Sequence, residues 1–337
     1  MSHLEIIMPF GIPPATLAKE LVKHMKTPAL ASLLAYARDK QIHEHDEFAR
    51  QLPHEDWLAR DFETPHNNAS SPALTHQRMQ ELGIQMSSGY WFTLSPIHIH
   101  IARDHMVMTD QRRLDINDLE SHDLFEAARE ICEELGKSLL YGDAKTWFLR
   151  ADDWRSLQTA SLDAAAGHNM EIWIAKGEQE VAWRKLQNEI QMLWHIHPVN
   201  HAREEKGRNT INSVWLHSGS AEVHTNRSQR NLQRFDAINY QNDSASILVE
   251  DLLEPALNSD WGNWLACINQ VENNWFKPAL NALQNKQIKS LKLVLSDGQR
   301  LCQISCRAPQ AWKFWRKPNL QFLIDLTGSS IQKNQEM

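Results

Sequence analysis

Most of the signatures that would assign this sequence a chemistry directly are missing. No stretch approaches the ~20 consecutive apolar residues of a membrane span, so no membrane partner is expected. Met1 to Phe10 carries Glu5 and lacks the basic start and apolar run of a secretory leader, which makes the cytoplasm the expected location. Four cysteines (Cys132, Cys267, Cys302, Cys306) show no metal-type spacing and read as thiols in a reducing compartment. No Gly-x-Ser-x-Gly elbow supports a serine nucleophile. No Gly-x-Gly-x-x-Gly or other phosphate-cradling glycine loop is present, and no cofactor is expected.

What is present suffices for a sizeable core. The 337 residues are 42% hydrophobic and 23% charged, a length that suits about two domains or one large domain with an insertion. Thirteen tryptophans are scattered without a period, which suggests many element junctions, each indole seeking one hydrogen-bond acceptor. The net charge of −7 argues against a surface built for nucleic acid. The local exception is Ala311-Trp312-Lys313-Phe314-Trp315-Arg316-Lys317-Pro318, which mixes rings that stack with cations that meet phosphate. The same run also suits tryptophans packed inward with snorkelling basic heads.

Strands and helices are interleaved, so the fold class expected is α/β or α+β. Leu4–Met8 reads as a buried first strand halted by Pro9 and Gly11. Helices are expected after Pro13-Pro14, after Thr27-Pro28 through Ala37, from Asp118 to near Gly136, after Gly177, near 244–257 and near 273–285. His43 and His45 read as solvated side chains at a charged helix start. Ile97, Ile99 and Ile101 alternate with His98, His100 and Ala102, and Arg103-Asp104-His105 turns the chain into Met106–Met108, a hairpin. Further strands are expected at Thr146–Leu149 and Ile211–Leu216, and a second hairpin pairs Leu291–Leu295 with Leu301–Ser305.

The most informative stretch runs from Trp183 to Ser220. Leu186, Ile190, Leu193 and Trp194 give a helical apolar face, and Pro198 breaks that helix at His197. The same proline suits the first position of a new short helix closed near Gly207. Its N-terminal turn at Pro198-Val199-Asn200, with Arg203 one turn on, forms a candidate anion site.

Asn188-Glu189 … His197-Pro198-Val199-Asn200 … Arg203 … Gly207 … Asn212 … Trp215 resembles a segment of the archaeal-type, cofactor-independent phosphoglycerate mutases of the alkaline phosphatase superfamily. It is more similar still to bacterial relatives labelled phosphoglycerate mutase or RpfE-type regulatory protein. Tyr90-Trp91-Phe92, Trp147–Arg150 and Phe314–Pro318 echo the same group. The resemblance implies an alkaline-phosphatase-like central sheet flanked by helices over residues 1–327. It further implies a smaller α+β subdomain inserted at about 88–225, with a disordered tail at 328–337. It places His197, Asn200, Arg203, Asn212 and Trp215 around a ligand, a phosphorylated small molecule. The family's Trp-Leu-Trp-Gly-Gly-Gly reads Trp215-Leu216-His217-Ser218-Gly219-Ser220 here, so two glycines that admit a ligand to the backbone are replaced.

Active members of that superfamily use two metals and a phosphorylatable hydroxyl. The aspartate expected at the end of the first strand is absent from Met8-Pro9-Phe10-Gly11, and Glu55 stands at the nucleophile's place. Ser296-Asp297-Gly298 is a turn and not the late Asp-His ligand set. The expectation is therefore a degenerate, non-catalytic relative, with an active mutase and a protein- or nucleic-acid-interaction module as the alternatives, and an unidentified protein partner. His98 and His100, two apart on a strand, are the rival metal pair, though spacing supplies no third ligand.

Overall fold

The structure is a computed structural model and describes residues 3–60, 69–85, 88–221, 244–307 and 317–326. The expected tail and most of the Trp312–Lys317 run lie outside the described residues. The chain forms two compact units, Met1–Glu47 with Gln229–Met337 and the continuous stretch Phe48–Ser228. The insertion expected at about 88–225 falls inside the second unit, which starts earlier, at Phe48.

The first unit is an α/β layer. Its strands are β1 (His3–Met8), β2 (Ala37–Glu44), β9 (Ser244–Leu248), β10 (Ser290–Ser296) and β11 (Arg300–Arg307). They lie in the order β2-β11-β10-β1-β9. β1 pairs in parallel with both β9 and β10, while the β10–β11 and β11–β2 pairs are antiparallel. A strand with parallel neighbours on both sides is covered on both faces, which is why Leu4, Ile6, Ile7 and Met8 are all buried without alternation. Helices Pro28–Tyr36, Trp261–Val271 and Lys277–Gln284 bring Leu30, Leu33, Trp264, Ile268, Ala279 and Leu283 to the same core.

Two expectations fail in this unit. Residues 244–248 are β9 and not the start of a helix, because Ala245 and Ile247 enter the core beside β1 and a helix begins only at Leu253. His43 lies on the edge strand β2 and not at a helix start. β11 pairs with one side of that strand, and most of its side chains are exposed, His43 being half-buried against Gln303 at 2.9 Å.

The Pro28–Tyr36 helix has no cap of its own at Thr27. Glu272 supplies one instead, its carboxylate oxygens accepting from the amides of Ala29 and Leu30. Trp264 Nε1 likewise donates to the carbonyl of Phe10 at 3.0 Å, pinning the turn after β1, where Phe10 holds a left-handed φ of 54°. Trp264→Phe deletes this donor together with one ring of a wholly buried indole, so a cavity adds to the lost bond. It is expected to cost about 2–4 kcal/mol, visible as a lowered thermal midpoint. An unshifted midpoint would show that neither the bond nor the packing contributes.

The second unit is an antiparallel sheet with two long helices on one face and the short helix Thr75–Glu81 on the other. Its main strands are β3 (Trp91–Ile97), β6 (Leu139–Asp143), β7 (Thr146–Arg150) and β8 (Ser213–Ser220), in the order β6-β7-β3-β8. The separate hairpin of β4 (Ile99–Ala102) and β5 (His105–Met108) forms as expected, with Arg103 at φ 60° in its turn. Phe92, Leu94, Trp147, Leu149, Val214 and Leu216 face helices Asp118–Glu134 and Glu180–His195 across a core that includes Trp183 and Trp194. Three of this unit's indoles find an acceptor within the protein, while Trp173 Nε1 is buried without one among the described residues. Trp147 donates to Ser121 Oγ at 3.2 Å, Trp194 to the Leu124 carbonyl at 3.2 Å and Trp215 to the Ala160 carbonyl at 2.9 Å.

All four cysteines are free, and burial pushes the thiols of Cys132, Cys302 and Cys306 up to about 12, which makes them inert packing groups.

Candidate functional site

The helix break at Pro198 forms where expected: a helix ends at His195 and another spans Pro198–Glu205. Its N-terminus is nevertheless closed from within. Pro198 has no amide hydrogen, and the Val199 amide donates to His197 Nδ1 at 3.3 Å. The amides of Asn200 and His201 both reach the His197 carbonyl. An anion would find these donors already engaged.

The other expected ligand residues are fold brackets. Asn200 is 2% exposed, and its amide nitrogen donates to the carbonyls of Trp194 and Ile211, each at 2.8 Å. Its oxygen accepts from the Ile211 amide at 2.8 Å. Arg203 is 1% exposed and ion-pairs with Glu120 at 2.6 Å. It also donates to the carbonyls of Asn209, Asp115 and Leu114. Asn212 pairs with the amide and the carbonyl of Ile99, both at 2.8 Å, tying β8's start to the hairpin. The anion role read for Asn200, Arg203 and Asn212 is thus replaced by a structural one, since a buried polar group must find a partner and these find it in protein. Trp215 alone points elsewhere, its indole resting on the segment that also supports Glu55.

His98 and His100 do share a side, their rings nearly parallel at 6.0 Å between centroids. His98 Nδ1 lies 2.8 Å from the Thr210 carbonyl. Among the described residues no group of three or more His, Cys, Asp or Glu side chains is placed to hold a metal ion.

The concentration of unusual chemistry lies on the other face of the second unit's sheet. Alternation sends Phe92 and Leu94 to the helices and Thr93 and Ser95 to the opposite side, where β8 places His217 against Thr93 in register. Ser95 Oγ meets His217 Nε2 at 3.2 Å, and Thr93 shares a hydrogen bond with Thr75 at 2.8 Å. Ser218 keeps the left-handed conformation a glycine would adopt, φ 58°, held by Ser71 on its amide and Thr75 on its carbonyl. The retained Gly219 is obligatory: a Cβ there would lie 2.5 Å from the Phe92 ring.

Two histidines and three carboxyl groups gather near this face. Asp163 is the hub, since its charge acts on His54, Glu55 and His217 alike. Arg112 grips it with two bonds of 2.8 Å and reaches Asp110 at 3.0 Å. Burial opposes the Arg112 charge, but the bonds and charges of Asp163 and Asp110 outweigh it and hold its pKa above the ordinary value. Glu55, on the short helix Pro53–Ala59, accepts from the Leu52 amide and the Ser161 hydroxyl, both at 2.6 Å. Burial, reinforced by Asp163, still pushes its carboxyl up to about 8 against those two donors. Burial pushes the imidazoles of His54 and His217 down to about 4, with Asp163 only partly offsetting it. Among the described residues His54 Nδ1 is buried without a hydrogen-bond partner.

At neutral pH the cluster therefore comprises two neutral imidazoles, one protonated carboxyl and an arginine shared by two aspartates. Such a set can exchange protons and hydrogen-bond a polar group. Its summed charge, about −1, does not attract a dianion. Sequence reading placed Glu55 in a special position but missed His54, Arg112, Asp163 and His217. The one signal available was the polar pair Thr93 and Ser95 inside an otherwise apolar strand.

No family model matches this chain, and no curated protein sequence does. Solved structures do resemble it. A cofactor-independent phosphoglycerate mutase from Thermoplasma acidophilum DSM 1728 superposes with a TM-score of 0.41 at 11% identity, over 96% of this chain and 94% of that one. The PH0037 protein from Pyrococcus horikoshii gives 0.50 at 9% identity, over 96% and 92%. The second likeness is one of fold. At such identities neither carries function across.

Proposed function

We propose that this chain is a non-catalytic relative of the phosphoglycerate mutases, with an alkaline-phosphatase-like architecture, that binds a phosphorylated metabolite or related anion in a regulatory or scaffolding role. The proposal rests first on the sequence resemblance between Asn188 and Trp215. The structural observation that favours loss of catalysis is the use made of the two positions the chemistry needs. Where the family carries a metal-binding aspartate, Phe10 sits in a turn whose carbonyl is taken by Trp264. Where it carries the nucleophile, Glu55 closes a helix N-terminus by accepting from Leu52 and Ser161. A carboxyl group so engaged is no substitute for a metal-activated hydroxyl.

The test is a coupled mutase assay with 3-phosphoglycerate, and a phosphomonoesterase assay beside it, each with manganese or magnesium added. The expected turnover equals that of buffer. Metal-dependent turnover that vanishes on chelation would overturn the proposal. Calorimetric titration with 3-phosphoglycerate tests the binding half, for which a measurable heat is expected.

A further inference from the structure

Away from the Asp163 cluster, the second unit carries a cleft of about 520 Å³ between helix Glu180–His195 and the β4–β5 hairpin. That volume lies in the range of small-molecule sites. Its apolar lining comes from Ile99, Met106, Met170 and Ile174. Its polar wall is one stripe of the helix, Arg184, Gln187, Asn188 and Gln191, spaced so that all four share a face. Lys176 and Glu171 complete the lining.

The charges here are unlike those of the Asp163 cluster. Neither Lys176 nor Arg184 has a side-chain hydrogen-bond or ion-pair partner among the described residues, whereas Lys185 on the same helix lies 3.8 Å from Glu189. With Glu171 as the one acid, the lining sums to +1 in a chain of net charge −7. Lys176 is also held in place. Its amide and carbonyl both pair with Gln158, at 3.1 and 2.9 Å, so the cation is presented from fixed backbone. Gln187 is already held by the Val214 carbonyl at 2.7 Å, which leaves the amides of Asn188 and Gln191 beside the two uncommitted cations. Above an apolar floor, that set matches a ligand with one anionic end and one apolar body.

We infer that this cleft binds a small organic anion with an apolar body, of the aromatic or alkyl phosphate class, with Lys176 and Arg184 on the anionic group and Met106, Met170 and Ile174 under the rest. The inference deepens the binding role proposed above and rests on it for the choice of phosphate. The methionines lend the floor an adaptable shape.

The full chain is titrated calorimetrically with 1-naphthyl phosphate, and separately with inorganic phosphate and with 1-naphthol. The aromatic phosphate is expected to bind at least about tenfold more tightly than either fragment, and the K176Q/R184Q variant to lose about tenfold or more of that affinity. Lys185→Gln, outside the lining on the same helix, is expected to leave it unchanged. Both substituted positions reach solvent, and an unchanged thermal midpoint verifies that the double variant is folded. Equal affinity of the double variant and the parent chain, or no heat with the aromatic phosphate, would overturn the inference. Heat with 3-phosphoglycerate that survives K176Q/R184Q would sink this site and leave the binding role standing. Heat with the aromatic phosphate but none with 3-phosphoglycerate would do the reverse.

Discussion

Replacing Arg203 with alanine is expected to destabilise the second unit by about 3–5 kcal/mol, seen as a large fall in its urea midpoint. The guanidinium is almost wholly buried and reaches the Glu120 carboxylate and three backbone carbonyls, those of Asn209, Asp115 and Leu114. Alanine leaves Glu120 without its strongest partner and strands the carbonyls, and each buried group so orphaned costs about 1–3 kcal/mol. Lysine is not expected to rescue the loss, because a single ammonium cannot span four acceptors arranged around a planar fork. If Arg203→Ala unfolds at the parental urea concentration, the clamp is not structural and its reading as an anion ligand returns.

A second large effect concerns pH, and its sign follows from three groups. Glu55 has its carboxyl raised from an ordinary 4.5 to about 8. The folded unit thus keeps a proton that the unfolded chain releases, and this stabilisation is full below pH 4.5 and lost as pH rises toward 8. His54 and His217 have imidazoles lowered from 6.5 to about 4. Their effect is full above pH 6.5 and is lost as pH falls toward 4, because the unfolded chain takes up protons that the folded one refuses. Between 4.5 and 6.5 two imidazoles outweigh one carboxyl, so stability rises with pH; from 6.5 to 8 the carboxyl acts alone and stability falls.

The second unit should therefore be most stable near pH 6.5, with an alkaline decline of up to about 2 kcal/mol. Glu55→Gln retains an oxygen to accept from Leu52 and Ser161 and cannot ionise, so it should flatten the alkaline limb while leaving the acid limb in place. Urea midpoints measured from pH 5 to 9 decide the matter. An alkaline decline of the same size in the glutamine variant would remove Glu55 as its cause.

How much of this was legible beforehand divides along a physical line. Helices Asp118–Glu134 and Glu180–His195, the break at Pro198 and the hairpins at Ile99–Met108 and Ser290–Arg307 follow from periodicity and turn residues, which act within a few positions of chain. β9 was misread as helix because its identity comes from pairing with β1, more than two hundred positions away. The glycine-like backbone at Ser218 was hidden for a related reason: Ser71 and Thr75, which hold it, lie in another segment.

The anion site fails on the same ground. Proline, asparagine and arginine around a helix start do specify a local geometry, and that geometry formed. Whether its polar groups face a ligand or the protein depends on what else arrives. Glu120 and Leu114 reach Arg203 across 83 and 89 positions, and Ser161 reaches Glu55 across 106. The sequence alone determined where the chain bends and which faces are apolar, because those are properties of neighbouring residues. Only the tertiary structure decided which polar side chains are clamps and which are left uncommitted, because burial and the identity of a distant partner set that outcome.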